Sequence, residues 1–274
     1  MDALAGIIGA GPAGISTAVQ LRRYDLDSIV FERSDIGGLV RNAYLIENSM
    51  FFPGGIRGKD FVNLLREYVR KYGLRIIHAY VKKVVKNGNF RIMTDGREYE
   101  FKYLVVASGT CPRRLPYDGV KYHITEIDGF RDEILIVGGG DIALDYALSM
   151  SERARRVTVL YRSRIRALPA LVRYVRKRGN IVLKKGEIRG IINKGDKKRV
   201  LTTAGGLEVD EVLAAIGRIP NIDIVKGIED KRLFIIGDAK NAPYRQTTMA
   251  IGDGIKAAMD IWRCENEDTC GDRQ

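Results

Sequence analysis

The sequence predicts an α/β fold in which a strand, a glycine turn and a helix follow one another twice. Three observations carry this expectation. The apolar run Leu4–Ile8 enters Gly9-Ala10-Gly11-Pro12-Ala13-Gly14, and Ile15 to Arg23 continues with helical periodicity. The run Glu133–Val137 enters Gly138-Gly139-Gly140-Asp141-Ile142-Ala143, with a helix expected from Ala143 to Met150. Each unit then meets a second apolar run, Ser28–Phe31 in the first and Val157–Tyr161 in the second. A strand, a Gly-x-Gly-x-x-Gly or Gly-x-Gly-x-x-Ala turn and a helix, in that order, bind a dinucleotide.

The roles within the turns are physical. Gly9 permits the tight turn, Gly11 lets the backbone approach a pyrophosphate, and Gly14 lets the helix pack on its strand. The helix N-terminus then offers unpaired N–H groups to the phosphates. The first unit ends in Glu32, placed to hold a ribose 2′-hydroxyl, which favours an unphosphorylated ribose as in FAD. The second ends in Tyr161-Arg162-Ser163-Arg164-Ile165-Arg166. Planar guanidinium groups at Arg162, Arg164 and Arg166 grip a 2′-phosphate as in NADPH, or form a solvated surface. Two units in one chain imply two dinucleotides meeting face to face.

With 274 residues, 45% of them hydrophobic, the chain can bury the cores of one or two domains. Charges interrupt its longest apolar stretches, so no membrane span is expected. The N-terminus enters a strand directly, so no signal peptide is expected and a cytoplasmic protein is the default. Cys111, Cys264 and Cys270 show neither metal-ligand spacing nor a disulfide framework. The net charge is +12, and Lys and Arg concentrate between Arg153 and Lys185, where no acid occurs. That stretch is a basic surface, a nucleotide-phosphate site or a docking face for an acidic protein. No helix-turn-helix, zinc module or RNA-binding signature accompanies it, so nucleic acid is not expected.

Between the fingerprints the pattern changes. Gly37-Gly38 and an irregular stretch from Leu45 to Gly58 precede a helix from Lys59 to Tyr72, with Phe61, Leu64, Leu65, Tyr68 and Val69 on one face and Gly73 at its end. Strands are expected at 75–80, 81–86, 89–94 and 98–102, with turns at Lys86–Asn89 and Asp95-Gly96. Tyr103–Val106 reads as a buried strand running into Ala107-Ser108-Gly109. The last third is β-rich from Glu187 to Val212, followed by the strand Leu233–Ile236. A helix from about Thr247 to Arg263 and a polar, mobile tail from Glu265 complete the chain.

Taken in order, Gly9–Gly14, Glu32, Gly37-Gly38, Ile46-Glu47-Asn48, Ala107-Ser108-Gly109, Gly138–Ala143, Ile216-Gly217-Arg218-Ile219-Pro220-Asn221, Gly237-Asp238 and Arg245-Gln246 resemble the low-molecular-weight thioredoxin reductase family. That branch also holds the thioredoxin-reductase-like ferredoxin–NAD(P) reductases. The resemblance implies two Rossmann-like three-layer domains, the NAD(P)H domain inserted in the FAD domain: FAD at 1–112, NAD(P)H at 113–233, FAD again at 234–274. It implies FAD and NADPH, with NADH as an alternative donor, and a homodimer. It places Asp238 at the ribityl or pyrophosphate region and Arg245 and Gln246 at the isoalloxazine end. Arg33, Leu39, Asn48, Ile216, Gly217 and Thr247 join the expected cofactor contacts. Domain rotation is implied as well, with hinges expected near Leu115–Asp118 and Asp230–Leu233.

One departure stands out. The family's Cys-x-x-Cys precedes an Asp-Gly-Phe; here Gly119–Tyr122 and Asp128-Gly129-Phe130 flank His123-Ile124-Thr125-Glu126-Ile127 with no cysteine. Thiol–disulfide exchange requires a thiolate, so the expected acceptor is external, such as ferredoxin or a small disulfide. His123 is a candidate acid near the flavin, or a polar loop residue. Cys264 and Cys270 are candidates for a tail disulfide, or are structural or plain thiols. Cys111 reads as a small buried residue, and Trp262 either stacks on a flavin or packs its helix. A flavin-binding sensor without turnover is the remaining alternative.

Overall fold

The computed structural model describes residues 1–241 and 243–267, which divide into two compact units. Unit 1 comprises Met1–Arg41, Glu47–Cys111 and Ile219–Gln274; unit 2 comprises Asn42–Ile46 and Pro112–Arg218. In chain order unit 1 supplies β1 (Ala3–Ile8), α1 (Pro12–Arg23), β2 (Ser28–Glu32), α2 (Gly58–Tyr72), β3 (Arg75–His78), β4 (Lys83–Asn87), β5 (Asn89–Met93) and β6 (Glu98–Val106). After β7 (Thr110–Pro112), unit 2 supplies β8 (Val120–Lys121), β9 (Arg131–Val137), α3 (Asp141–Ser151), β10 (Ala154–Tyr161), α4 (Pro169–Arg176) and β11 (Ile181–Lys185). It continues with β12 (Ile188–Lys194), β13 (Lys197–Thr202), β14 (Gly205–Val209) and β15 (Glu211–Ala214). After β16 (Arg218–Pro220), unit 1 ends with β17 (Leu233–Ile235) and α5 (Thr247–Asn266).

Unit 1 is built on a seven-stranded sheet of order β3-β2-β1-β6-β5-β4, with β17 also paired to β6. β1 lies between parallel partners, Ile7 facing Val30 on one side and Val105 on the other. Covered on both faces, it is apolar throughout, and Ala5 and Ile7 are fully buried. The helix α1 packs against α5 at backbone distance: a Cβ on Gly254 would lie 2.3 Å from the Ala13 carbonyl oxygen. Trp262 completes that contact by stacking on Tyr24 at 5.3 Å, so it packs its helix.

The sheet of unit 2 is ordered β11-β10-β9-β15-β8 and is parallel throughout. The antiparallel meander β12-β13-β14 covers part of it. The other side is a core around Ile134, Ile136, Leu144, Ala147, Val157 and Val159.

Several sequence expectations change. The two strands expected at 98–102 and 103–106 are one nine-residue strand; its outer half pairs with β5 and its inner half with β1. The buried stripe of α2 is Gly58, Phe61, Val62 and Leu65, whereas Tyr68 is exposed and stacks on Tyr72. Two elements inside the basic stretch, α4 and β11, go beyond the sequence expectations, because their apolar runs, Leu171-Val172 and Ile181–Leu183, are short. The last helix runs past Arg263 to Asn266, and Glu265 is not a mobile tail residue: it accepts from Tyr103 Oη at 2.6 Å and pairs with Lys102.

The units divide at Cys111/Pro112 and Arg218/Ile219, where the sequence placed the divisions at 112/113 and 233/234. At these crossings β7 and β16 pair, with the Arg113 amide donating to the Gly217 carbonyl at 2.9 Å and the Asn221 amide to that of Gly109 at 3.0 Å. Neither expected hinge is a crossing: Leu115–Asp118 lies within unit 2 and Asp230–Leu233 within unit 1. The latter is pinned, because Asp230 binds both Arg232 and Lys86 and its carboxyl is held well below the usual range. Among the described residues no helix is long and apolar enough to cross a membrane.

Candidate functional site

The first turn is built by close approach. Gly9 adopts φ +105°, and a Cβ there would lie 2.4 Å from the Ala107 carbonyl oxygen. A Cβ on Gly14 would sit 1.9 Å from the Gly9 carbonyl oxygen. These two glycines seat α1 on β1. Gly11 differs: its Cβ direction meets only the Gly38 Cα, at 3.9 Å. Space is therefore left where Gly11, Pro12 and Ala13 open the helix. Gly37 closes the other side by donating its amide to the Ala10 carbonyl at 2.9 Å, and Leu39 lies on the short helix Gly38–Asn42 that follows.

Glu32 is buried, 8% exposed, at the end of β2. Oε2 accepts from the Ala10 amide at 2.9 Å, and Oε1 from the Ser34 amide at 2.9 Å and its hydroxyl at 3.1 Å. The carboxylate is thereby locked beside the glycine turn, with lone pairs left for a ribose hydroxyl. It lines a cavity of about 490 Å³ with Gly9, Arg33, Tyr80, Lys82, Ser108 and Asn221. Ser108 donates its hydroxyl to the Asn221 carbonyl, which brings Ala107-Ser108-Gly109 against that wall. The sequence did not single out Tyr80, Lys82 or Asn221 as cavity residues, because each comes from a loop distant in the chain.

Gly237-Asp238 forms a short helical turn after β17, beside the start of α1: a Cβ on Gly237 would lie 3.0 Å from the Ala13 Cβ. Asp253 on α5 organises it, accepting from the Gly237 amide at 2.9 Å and from the Asn241 side chain. Asn48 donates to Gln246 Oε1 at 2.6 Å, and Gln246 caps α5 just before Thr247, next to Arg245. Asn48, Arg245, Gln246 and Thr247 therefore belong to one cluster at the start of α5.

The second turn repeats the first. A Cβ on Gly138 would lie 2.3 Å from the Ala215 carbonyl oxygen and 3.1 Å from the Ala143 Cβ, so the alanine in the third place fits. A Cβ added to Gly140 would meet nothing within 4 Å, and Asp141 and Ile142 begin α3 there. The arginine loop lies on this turn: the Arg166 amide donates to the Gly139 carbonyl at 2.6 Å, and the Leu168 amide to Asp141 Oδ1 at 2.7 Å. Arg162, Arg164 and Arg166 are exposed, and Arg162 reaches Glu187 only at 3.9 Å. Ile216 and Gly217 follow β15 and lead to the crossing at Arg218.

Of the candidate redox residues, His123 belongs to unit 2 and Cys264 to unit 1. His123 Nδ1 lies 3.2 Å from Asn42 Nδ2. The Asn42 Oδ1 accepts from the Ile124 amide at 3.1 Å, so its amide nitrogen is the donor and His123 Nδ1 the acceptor. Ile124 and Ile127, from the same stretch, are buried in the core of unit 2. Cys264 is half-buried on α5, Cys111 is half-buried on β7, and Cys270 lies outside the described residues.

Sequence reasoning missed one titratable group. Asp145 on α3 accepts from the Tyr44 amide at 2.9 Å. Burial pushes its carboxyl up to about 7, against the lowering effect of the Tyr44 and Leu45 amides and with further raising by Asp141. The segment Asn42–Ile46 is held to unit 2 by this contact, by Asn42, and by the Tyr44 hydroxyl between Glu152 at 3.1 Å and Arg178 at 2.6 Å.

Comparison with known proteins agrees with this geometry. The chain is 28% identical to the "34.2 kDa protein in rubredoxin operon" of Clostridium pasteurianum, covering 92% of this chain and 94% of that one. It is 29% identical to a thioredoxin reductase of Mycolicibacterium smegmatis, covering 95% and 96%. Thioredoxin reductase structures from Lactococcus lactis and T. acidophilum superpose with TM-scores of 0.84 and 0.83, at 26% and 27% identity. Each comparison covers 95% of this chain and 98% of the other. Residues 6–265 match the family described as pyridine nucleotide-disulphide oxidoreductase, and the chain belongs to that family.

Proposed function

We propose that this protein is an FAD-dependent NAD(P)H oxidoreductase that passes electrons to an external acceptor without an internal dithiol. FAD belongs to the first turn and NADPH to the second. When bound, the flavin supplies exchange between two-electron and one-electron chemistry. The protein's part is to bind and orient. Glu32 holds the ribose of the first dinucleotide, α1 meets its phosphates, Asp238 meets the ribityl or pyrophosphate region, and the cluster around Arg245 and Gln246 holds the isoalloxazine end. The open face at Gly140 takes the second pyrophosphate, and Arg162, Arg164 and Arg166 take the 2′-phosphate. A homodimer in the cytoplasm belongs to the same reading.

The observation that carries the reading is the stretch His123–Ile127. By the resemblance it occupies the position of the dithiol; it contains no cysteine, and Ile124 and Ile127 are buried in the core of unit 2. A small electron-carrier protein such as ferredoxin is the acceptor this leaves, and the similarity to a protein of a rubredoxin operon supports a carrier of that class.

An anaerobic titration with NADPH, and separately NADH, tests it through flavin absorbance. Rapid bleaching by NADPH is expected; a yellow protein that neither nucleotide bleaches overturns the donor assignment. The double variant Cys264→Ser, Cys270→Ser is expected to leave turnover unchanged. Loss of turnover with a disulfide acceptor would instead establish the tail thiols as the redox pair.

A further inference from the structure

The charge of this protein is segregated. Arg153–Lys185 contains twelve Lys and Arg and no acid, so the rest of the chain has 34 cations against 34 acids and no net charge. The whole +12 therefore resides in β10, the arginine loop, α4 and β11. Four of the twelve have partners: Arg156 with Glu133, Arg162 with Glu187, Arg178 with Glu152, and Arg153 with the carbonyls of Ile124 and Ile127. Arg164 and Arg166 lie in the nucleotide loop. Of the remaining six, Arg155 lies on β10 and Lys184 and Lys185 on β11, whereas Arg173, Arg176 and Lys177 lie together on α4 and its C-terminal cap.

These three form one stripe. Leu171, Val172 and Val175 turn the opposite side of α4 toward the core of unit 2. Arg173, Arg176 and Lys177, at i, i+3 and i+4, therefore share the outer side and are exposed. Tyr174, 36% exposed, borders them. Among the described residues no acid pairs with any of the three. Like charges at this spacing repel, and only a counter-charge from outside relieves them.

We propose that the outer face of α4 is the docking surface for the electron-carrier protein, which presents an acidic patch to Arg173, Arg176 and Lys177. This rests on the function proposed above. Arginine and tyrosine are the residue types that anchor protein interfaces. Concentrating the net charge in one stretch of unit 2 also orients an acidic partner before contact and speeds its encounter. A nucleic acid is the less favoured occupant, because no base-reading or stacking array accompanies the stripe.

The test uses the full-length, flavin-loaded protein with reduced ferredoxin and rubredoxin formation from NADPH as readouts, and ferricyanide as a small acceptor. In the charge-reversed variant Arg173→Glu, Arg176→Glu, Lys177→Glu, kcat/KM for the carrier is expected to fall about 10- to 100-fold, with a flatter dependence on salt. Ferricyanide reduction and the KM for NADPH are expected to stay unchanged. Carrier kinetics indifferent to the reversal overturn the docking surface alone. An equal fall with ferricyanide overturns it too, by showing general damage. Loss of DNA retention at physiological salt without a change in carrier KM assigns the stripe to nucleic acid and also overturns it. If wild-type protein bleaches with NADPH but reduces neither carrier, the acceptor reading fails first and the docking surface with it.

Discussion

The Tyr44 amide donates to Asp145 Oδ2 at 2.9 Å, and this bond ties a five-residue segment to the helix that begins at the second glycine turn. Burial holds the Asp145 carboxyl near 7, above its value of 3.8 in an ordinary setting. The native state therefore binds a proton that the unfolded chain has released. The stability this provides is complete below pH 3.8 and is lost as pH rises to about 7. Asp145→Asn keeps an acceptor for Tyr44 and removes the titration. The variant is expected to be more stable than wild type above pH 7, by about 1–3 kcal/mol, with a flatter pH profile below it. Urea unfolding across that range checks this; parallel wild-type and variant curves would refute it.

Glu32 satisfies two backbone amides at once, Ala10 and Ser34. Glu32→Ala leaves the buried Ala10 amide unpaired and is expected to cost about 1–3 kcal/mol, together with loss of flavin during purification. Glu32→Gln retains one acceptor oxygen and is expected to fold with weakened flavin retention. Thermal unfolding and the flavin-to-protein absorbance ratio separate the two effects. Full flavin occupancy in the alanine variant would remove Glu32 from the binding site.

Two glycine-to-alanine changes should behave oppositely. The Cβ of Gly14→Ala meets the Gly9 carbonyl oxygen at 1.9 Å, so α1 must shift off its strand. A loss of at least about 2 kcal/mol and of bound flavin is expected. The added Cβ of Gly140→Ala meets nothing within 4 Å, and the backbone is extended at φ −100°. Gly140→Ala is expected to leave stability within about 0.5 kcal/mol of wild type while raising the KM for NADPH. Denaturation and steady-state kinetics on both variants are the check, and a stable, flavin-replete Gly14→Ala protein would contradict it.

Arg162, Arg164 and Arg166 ride on a loop pinned to the Gly139 carbonyl and Asp141. Replacing the three with Gln is expected to reduce kcat/KM for NADPH by about 10- to 100-fold with little change for NADH, the equivalent of about one charge-assisted bond to a 2′-phosphate in total, because the three side chains are exposed and share the phosphate. Flavin reduction rates with both donors measure this. Equal losses for the two nucleotides would mean that the arginines do not read the phosphate.

What was legible in the sequence was local. Gly9, Gly14, Gly138 and Ala143 reveal the two turns because backbone close approach is a requirement within a few residues of chain. Glu32 was legible for the same reason, sitting at the end of the next strand. The apolar runs became β1, β2 and the inner parts of β9 and β10, because the parts of strands paired on both sides and covered on both faces are apolar.

Long-range pairing decided the rest. Asp145 and Tyr44 are 101 positions apart, Asn48 and Gln246 are 198 apart, and Ser108 and Asn221 are 113 apart; no periodicity links such partners. The sequence marks Asp145 as a polar residue on a helix, and only folding buries it and raises its carboxyl. α4 shows the same division. Its charge was plain in the sequence, but that three cations share one outer face followed from which side of a two-turn helix packs on the core. Elements are set by the spacing of neighbours in the chain, whereas a group's proton affinity and its facing depend on what the rest of the chain brings to it.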